Sequence, residues 1–202
     1  SAQHWWAAGQ PRQALQAAWQ AVQRARARGL QAHLLPQLAR WQQQHAHDAP
    51  TRGSLRAAMA LLLQELARPE AELEARAALA EWPDPPERAW ALLVLARLAF
   101  QGGSLTQARA HCSAAAEADP GNLDVLRLAS QLALQQGHAA TAMPALQAEV
   151  RALRRAATSP ALADALTSLG ALHDELGQVE QGLPLHQEAW ALADHLQARR
   201  TQ

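Results

Sequence analysis

Lysine, isoleucine and tyrosine are absent from this sequence of 202 residues, and cysteine occurs only once. Because the phosphate-binding motif G-x-x-x-x-G-K-[ST] requires a lysine, this chain cannot contain one. Because Cys112 is the single cysteine, no intrachain disulfide can form, and nothing indicates an oxidising compartment. The sequence has neither an apolar run long enough for a membrane helix nor a signal-peptide pattern. We therefore expect a cytoplasmic protein without a membrane segment in this stretch.

The missing amino acids also bear on the origin of the sequence. Lysine, isoleucine and tyrosine have AT-rich codons, so their absence indicates a bacterial genome rich in G and C. The chain begins SAQHWW, without an initiator methionine, and we interpret it as a fragment of a larger protein. Targeting or catalytic segments, if that protein has them, are then expected outside this stretch.

Residues with catalytic or metal-binding chemistry do not form a recognisable motif. The stretch HDELG at His173 lacks the second histidine of H-E-x-x-H, and the motifs G-x-S-x-G and C-x-x-C do not occur. His45 and His47 have metal-ligand chemistry, but a dedicated zinc site needs three or four positioned ligands. We interpret them as part of a solvated loop. We therefore predict no catalytic residue, no metal and no cofactor, and we do not expect an enzyme.

The charges sum to zero, with 18 basic and 18 acidic residues, and the sequence pI is about 7.1. This balance argues against a nucleic-acid partner, since nucleic-acid-binding domains are usually basic. The distribution is uneven, because residues 1–53 contain six arginines against Asp48 alone, whereas residues 161–198 contain six acids and no arginine. We interpret both ends as solvated helix faces, with head-to-tail packing as an alternative. A weaker alternative is nucleic-acid binding by Arg12, Arg24, Arg26 and Arg28.

Residues 88–122 have the pattern of two amphipathic helices joined by a tight turn. The first helix has an apolar stripe at positions i, i+3, i+4 and i+7, formed by Leu92, Leu95, Ala96 and Ala99. Gly102 and Gly103 end this stripe, and a second stripe is formed by Ala108, Cys112 and Ala115. The cysteine is therefore predicted to be a buried small residue rather than a reactive thiol. A single hairpin cannot bury both stripes, so neighbouring copies are expected.

The hairpin pattern recurs along the chain. The interval from Gly103 to Gly137 equals the interval from Ala108 to Ala142, so the turn glycine and the small residue after it recur together. A third copy follows after a longer interval, with Gly177 at the turn. The other matching positions of this third copy are Leu166, Leu169, Gly170 and Ala189. The recurrence predicts an all-α helical repeat array.

These residues resemble the tetratricopeptide repeat, a hairpin of two helices with a period of about 34 residues, which is the spacing of the first two copies. The matches are Leu92, Leu95 and Ala96 in the first helix, the turn residue Gly103, the small residues Ala108 and Ala115, and Pro120 at the end. The resemblance implies a right-handed α-solenoid of stacked antiparallel helix hairpins. Small residues belong where the helices of a hairpin cross closely, so a bulky side chain at Ala108 is expected to overpack the crossing.

We interpret residues 1–202 as a single solenoid. Its predicted segments are a partial repeat at 1–28, a degenerate repeat and loop at 29–53, and repeats at 54–87, 88–122, 123–156 and 163–196. The polar stretch HAHDAPTRGS, residues 45–54, is predicted to be the loop, with Ser54 as the N-cap of the following helix. An insertion between Ala156 and Leu162 is predicted to lengthen the last period.

The resemblance also implies where a partner binds, because the first helices of successive repeats face a concave groove in this family. The matching positions in this sequence are Trp90, Leu93, Arg97, Phe100, Gln101, Asp124, Arg127, Gln131 and Gln135. Guanidinium and amide groups beside an aromatic edge suit an extended peptide, since arginine binds carboxylates in bidentate fashion. We therefore predict a non-catalytic protein–protein interaction scaffold that binds a peptide or protein partner in this groove. The alternative is that these positions are solvated, or are covered by parts of the protein outside this chain.

A second hypothesis concerns regulation. The stretch ALTSLGALHDELGQVEQGLPLHQEAWALA in the last repeat resembles the helical-repeat sensor regions of bacterial signal-transduction and transcriptional regulators. This resemblance implies a regulatory domain of a larger transcriptional or signalling ATPase, in which an effector biases an intramolecular contact. A nucleotide-binding motif or a helix-turn-helix elsewhere in the full-length gene would favour this hypothesis.

Overall fold

A computed structural model describes residues 2–81, 83–135, 137, 139–156 and 159–200. This part of the chain contains eleven α-helices and no strand, which confirms the predicted all-α class. In chain order the helices are α1 (Ala2–Ala7), α2 (Pro11–Arg28), α3 (Gln31–His45), α4 (Ala49–Glu65), α5 (Ala71–Ala80), α6 (Pro85–Gln101), α7 (Leu105–Ala118), α8 (Leu123–Leu134), α9 (Ala139–Ala156), α10 (Pro160–Glu175) and α11 (Val179–Arg200).

Contacts between helices divide the chain into two compact units, Ser1–Asp119 and Pro120–Gln202. In the first unit, α1 packs on α2, α4 on α5 and α6 on α7, as expected of helical hairpins. In the second unit, α8 packs on α9 and α10 on α11. The predicted repeat boundaries and the single solenoid stay predictions. The predicted insertion after Ala156 includes residues 157 and 158, which lie outside the described part.

Helix α6 packs against three other helices of the first unit. Its sequence AWALLVLA is apolar on nearly every side, which is typical of a helix surrounded by other helices. Ala89 and all residues from Ala91 to Ala96 are buried, and α6 packs against α4, α5 and α7. The prediction that Leu93 faces a groove is therefore wrong, since this residue is 0% exposed.

Close helix crossings in the first unit depend on alanine. Ala57 of α4, Ala78 of α5 and Ala91 of α6 are fully buried and form one contact cluster. A larger side chain at any of these positions would push three helices apart. Ala108 of α7 is also fully buried, as predicted from its place in the repeat.

In the second unit, α10 and α11 approach each other through glycines. A Cβ atom at Gly170 would lie 2.7 Å from Cε1 of His186, so only a glycine allows this ring to rest on α10. A Cβ atom at Gly182 would lie 3.0 Å from the carbonyl oxygen of Gly170 and would collide with Asp174. The small residue predicted at position 170 is thus a requirement of the crossing.

The start of α4 differs from the prediction. This helix begins directly after Asp48, whose carboxylate caps it by accepting a hydrogen bond of 2.8 Å from the Thr51 N–H. Ser54 lies inside the helix and is 2% exposed, and its hydroxyl oxygen accepts a hydrogen bond of 3.0 Å from Nε1 of Trp19. The predicted N-cap at Ser54 is therefore wrong. Of the predicted loop at residues 45–54, only residues 46–48 lie outside helices, because α3 ends at His45. In this stretch, Asp48 caps the helix and Ser54 accepts a buried hydrogen bond.

The turns between paired helices contain a residue in the left-handed conformation. Gly103, Gly137 and Gly177 have φ angles of 77°, 65° and 72°, which explains why glycine recurs at this place in the repeat. In the turn between α4 and α5, Ala67 takes this role with a φ of 53°. It is the only residue other than glycine with positive φ in the described chain. Because a Cβ atom is disfavoured in this conformation, Ala67 is strained.

We expect Ala67→Gly to raise the free energy of unfolding by about 1 kcal/mol, because glycine adopts the left-handed conformation without strain. The reverse change, Gly103→Ala, should lower it by a similar amount, since a Cβ atom there would meet nothing within 4 Å and only the backbone is affected. Urea denaturation of both variants measures these changes. Destabilisation by Ala67→Gly would contradict the assigned turn conformation.

We expect Ala108→Arg to lower the free energy of unfolding by at least about 3 kcal/mol, because it places an unpaired charge at a closely packed helix crossing. The matched control is Ala110→Arg, which makes the same change at an exposed position of the same helix. That control should stay within about 0.5 kcal/mol of the parent. Urea denaturation again measures both, and equal stabilities of the two variants would contradict the assigned face of α7.

Candidate interaction surfaces

The predicted groove residues of the first unit lie on α6 in different surroundings. Trp90 is half-buried and lines a cleft, described below as the aromatic cleft. Arg97 is half-buried and donates from Nη1 to Oε1 of Gln64 on α4 at 3.3 Å. Phe100 is half-buried and Gln101 is exposed at the end of the helix. The structure thus places Trp90 at a concave surface and ties Arg97 to a neighbouring helix.

The predicted groove residues of the second unit belong to α8 and the turn that follows it. Arg127 and Gln131 line a second cleft, described below as the polar cleft. Asp124 lies in the first turn of α8, where its N–H donates to Oδ1 of the cap residue Asn122 at 3.1 Å. Gln135 directly follows α8 and is exposed. Asp124 and Gln135 thus flank the stretch of helix that reaches the polar cleft.

The aromatic cleft lies between α2 and the N-terminal turns of α6, and it has a volume of about 370 Å³. Its apolar lining consists of Leu15, Trp19, Pro86 and Trp90. Its polar lining consists of Arg12, Gln16, Gln23, Asp84 and Glu87. The cleft therefore combines aromatic faces with two carboxylates, one guanidinium and two amides.

A chain of contacts holds the aromatic wall of this cleft. The rings of Trp19 and Trp90 stack, with centroids 5.9 Å apart and an interplanar angle of 24°. Nε1 of Trp19 donates to the buried hydroxyl oxygen of Ser54. The guanidinium of Arg26 lies 5.1 Å from the Trp90 ring centroid, and its Nε donates to Glu65 at 2.6 Å. Both indoles are therefore held by partners outside the cleft.

The polar cleft lies between α8, α9 and α10 in the second unit and has a volume of about 270 Å³. Residues Arg127, Ser130, Gln131 and Leu134 of α8 form one wall. The opposite wall comes from Ala161, Asp164, Ala165 and Ser168 of α10. Leu146 and Glu149 of α9 complete the lining, so two carboxylates, a guanidinium and a carboxamide meet at one concave surface.

Glu149 is the buried polar group of this cleft, with a side chain 6% exposed. The Ser130 hydroxyl lies 2.5 Å from Oε2 of Glu149 and also 2.9 Å from the carbonyl oxygen of Arg127. Nε of Arg127 donates to Oε1 of Glu149 at 3.4 Å. A buried carboxylate is costly unless it is paired and hydrogen-bonded, and here it has both partners.

Several residues of both clefts have no predicted role in the sequence. Trp19 was not assigned to a site because the repeat spacing does not relate α2 to α6. Ser130 and Glu149 lie on helices that the repeat pattern predicted, but their polar side chains interrupt otherwise apolar faces. A polar residue on a buried face needs a partner, so each interruption is a sequence signal that predicts a buried polar contact.

Helix α11 exposes an apolar stripe on the second unit. Val179, Leu183 and Trp190 are 60%, 55% and 75% exposed, and their spacings of four and seven residues place them on one face of the helix. The face that carries Leu185 and Leu192 packs instead into the core of this unit. Large exposed apolar side chains on one face often mark a contact surface.

Cys112 is 3% exposed, and burial raises the pKa of its thiol to about 11. The buried apolar role predicted for this cysteine agrees with both observations. Within the described residues, no group of three or more histidine, cysteine, aspartate or glutamate side chains could hold a metal ion. In the same part of the chain, every helix is too short or too polar to cross a membrane.

Comparison with known proteins gives matches among solved structures. A MamA RS-1 ArsTM double mutant has a TM-score of 0.61 and 14% sequence identity, covering 91% of this chain and 97% of that chain. A structure of MamA from residue 41 to the end, from Desulfovibrio magneticus RS-1, has a TM-score of 0.59 and 14% identity, covering 90% and 96%. At this identity the likeness concerns the fold.

Neither a protein-family model nor a curated protein sequence matches the chain. The fold assignment therefore depends on the solved structures together with the helix pattern. Hairpins of paired helices, small residues at the crossings and left-handed glycines at the turns all agree with it. The chain thus has an all-α helical repeat fold of the tetratricopeptide type, as predicted from its sequence.

Proposed function

We propose that this chain is a non-catalytic protein-interaction scaffold whose polar cleft binds an extended partner segment through one acidic side chain. The observation that carries this proposal is the environment of the Arg127 guanidinium. One edge of this group is hydrogen-bonded to Glu149, and the other edge is open to a ligand. The cleft also contains Gln131, the second of the predicted groove residues that reach it. Repeat folds of stacked helices commonly present extended binding surfaces of this kind.

Arg127 is positioned for a second carboxylate. Its Nε points to the buried Glu149, whereas the Arg127 side chain itself is 43% exposed. Among the described residues, no acceptor bonds its Nη1 or Nη2 groups. A guanidinium is planar and offers a fork of N–H donors that matches a carboxylate in bidentate fashion. Glu149 therefore orients Arg127 and leaves its outer edge available to a ligand.

The remaining polar groups favour one acidic residue in an otherwise neutral segment. Gln131 can both donate to and accept from the backbone of an extended peptide. Asp164, on the opposite wall, can accept a backbone N–H. Asp164 and Glu149 also repel a second negative charge, because like charges in a partly desolvated cleft are unfavourable. The cleft thus selects for a single carboxylate between neutral residues.

Selection of a peptide-display library against the chain would test this proposal, followed by fluorescence anisotropy with the selected peptides. We expect these peptides to carry one aspartate or glutamate. Arg127→Gln should weaken their binding at least about tenfold, equivalent to about 1.4 kcal/mol. Arg127→Lys should weaken it too, because a lysine keeps the charge and loses the bidentate geometry.

The matched control is Arg151→Gln, which removes one positive charge from an exposed position of α9 in the same unit. This variant should bind like the parent. Circular dichroism checks that each variant folds, and replacing the acid of the peptide by its amide tests the same contact without altering the protein. If Arg127→Gln and Arg151→Gln weaken binding equally, or the amide peptide binds as well as the acid, the proposal is contradicted.

The regulatory hypothesis concerns a larger protein. A sensor domain of a bacterial transcriptional or signalling ATPase would use the same repeats to contact another domain. No feature of the described residues favours that role over a separate partner, so it stays a prediction from sequence, as do the cytoplasmic location and the bacterial origin.

A further inference from the structure

The aromatic cleft of the first unit differs in chemistry from the polar cleft of the second. Both clefts are lined by two carboxylates and one arginine, but the arginine of the polar cleft is paired with Glu149, whereas within the described residues Arg12 forms no ion pair with Asp84 or Glu87. The apolar surface of the aromatic cleft includes two indole rings, whose faces attract cations through the ring quadrupole. The two clefts therefore suit groups of opposite charge, and each can be tested without the other.

The aromatic wall is rigid before any ligand binds. Trp19 is held by its hydrogen bond to Ser54, and Trp90 contacts both the Trp19 ring and the guanidinium of Arg26. Glu65 neutralises Arg26 at 2.6 Å, so this arginine presents little net charge to the cleft. A wall whose rotamers are fixed in advance loses little conformational entropy on binding, which favours recognition.

The two carboxylates of the cleft, Asp84 and Glu87, form no ion pair within the described residues. Glu87 is half-buried in the first turn of α6, and within the described residues it forms no ion pair. The pKa of the Glu87 carboxyl is raised, mainly because the group is buried. A hydrogen bond from its own backbone N–H opposes this shift, and the nearby charge of Asp84 adds to it. Arg12 lines the α2 side of the cleft and forms no ion pair in the described structure with either acid. The cleft is thus negative, with a carboxylate that is partly desolvated and uncompensated.

We propose that the aromatic cleft binds an arginine side chain of a partner segment, with Glu87 and Asp84 as its carboxylate partners and the Trp19–Trp90 pair as its stacking surface. The planar guanidinium suits this cleft better than an ammonium group, because it stacks on indoles and is more weakly hydrated. Arg26 already shows this contact inside the protein, since it lies over the Trp90 ring. The methylene groups of the ligand arginine would cover the apolar side chains of Leu15 and Pro86.

The experiment uses two capped tripeptides, one with arginine between two leucines and one with citrulline in its place. Citrulline has nearly the same shape and no charge. The indole N–H resonances of Trp19 and Trp90 in ¹⁵N-labelled protein report on binding at the cleft. We expect the arginine peptide to shift both resonances saturably, and the citrulline peptide to bind at least tenfold more weakly.

Glu87→Gln should weaken binding of the arginine peptide several-fold and leave that of the citrulline peptide unchanged. The control is Glu70→Gln, which removes an exposed carboxylate at the N-terminus of α5 and should bind like the parent. Equal affinities for the two peptides would overturn the proposal, and so would arginine-peptide shifts that leave Trp19 and Trp90 unaffected. The comparison of the two peptides uses the unmodified protein, so it tests the proposed arginine binding even if the Glu87→Gln variant fails to fold.

Discussion

Close approach of helices through small side chains is the constraint on which the rest of this structure depends. Three alanines of α4, α5 and α6 meet at one buried cluster, and Gly170 lets the ring of His186 rest directly on α10. Helices that pack so closely leave room for few large residues at the crossings. Large side chains such as Trp19 and Trp90 therefore lie at the margins of the crossings, where they line a cleft.

In each cleft, polar contacts with residues outside the open side of the cleft orient a side chain of its lining. In the second unit, the buried Glu149 holds the inner edge of Arg127 and leaves the outer edge to solvent. In the first unit, Ser54 and Arg26 hold the two stacked indoles. Such contacts cost desolvation, and in both units the groups concerned are paired or hydrogen-bonded. The result in each case is an oriented binding group at the mouth of a cleft.

Leu93 and Ser54 have roles that differ from those predicted by their sequence patterns, for physical reasons. Leu93 matches a groove position by repeat alignment, but α6 is enclosed by three other helices and this side chain is buried. Ser54 has the chemistry of a helix cap, but Asp48 takes that role and the serine pairs with Trp19 on another helix. A local sequence pattern indicates which contacts a residue can form, whereas the packing of neighbouring helices decides which of these contacts it does form.

By itself, the sequence determined the helical class, the hairpin period and the residues of the turns and crossings. These follow from local rules, since apolar spacing sets the buried face and a left-handed turn favours glycine. Only the tertiary structure decided which polar side chains meet. The contact of Arg127 with Glu149 joins the two helices of one hairpin, whereas the contacts of Trp19 with Ser54 and Trp90 join helices that are not consecutive in the chain. No periodicity encodes such pairs, because they depend on the angle and register at which whole helices pack.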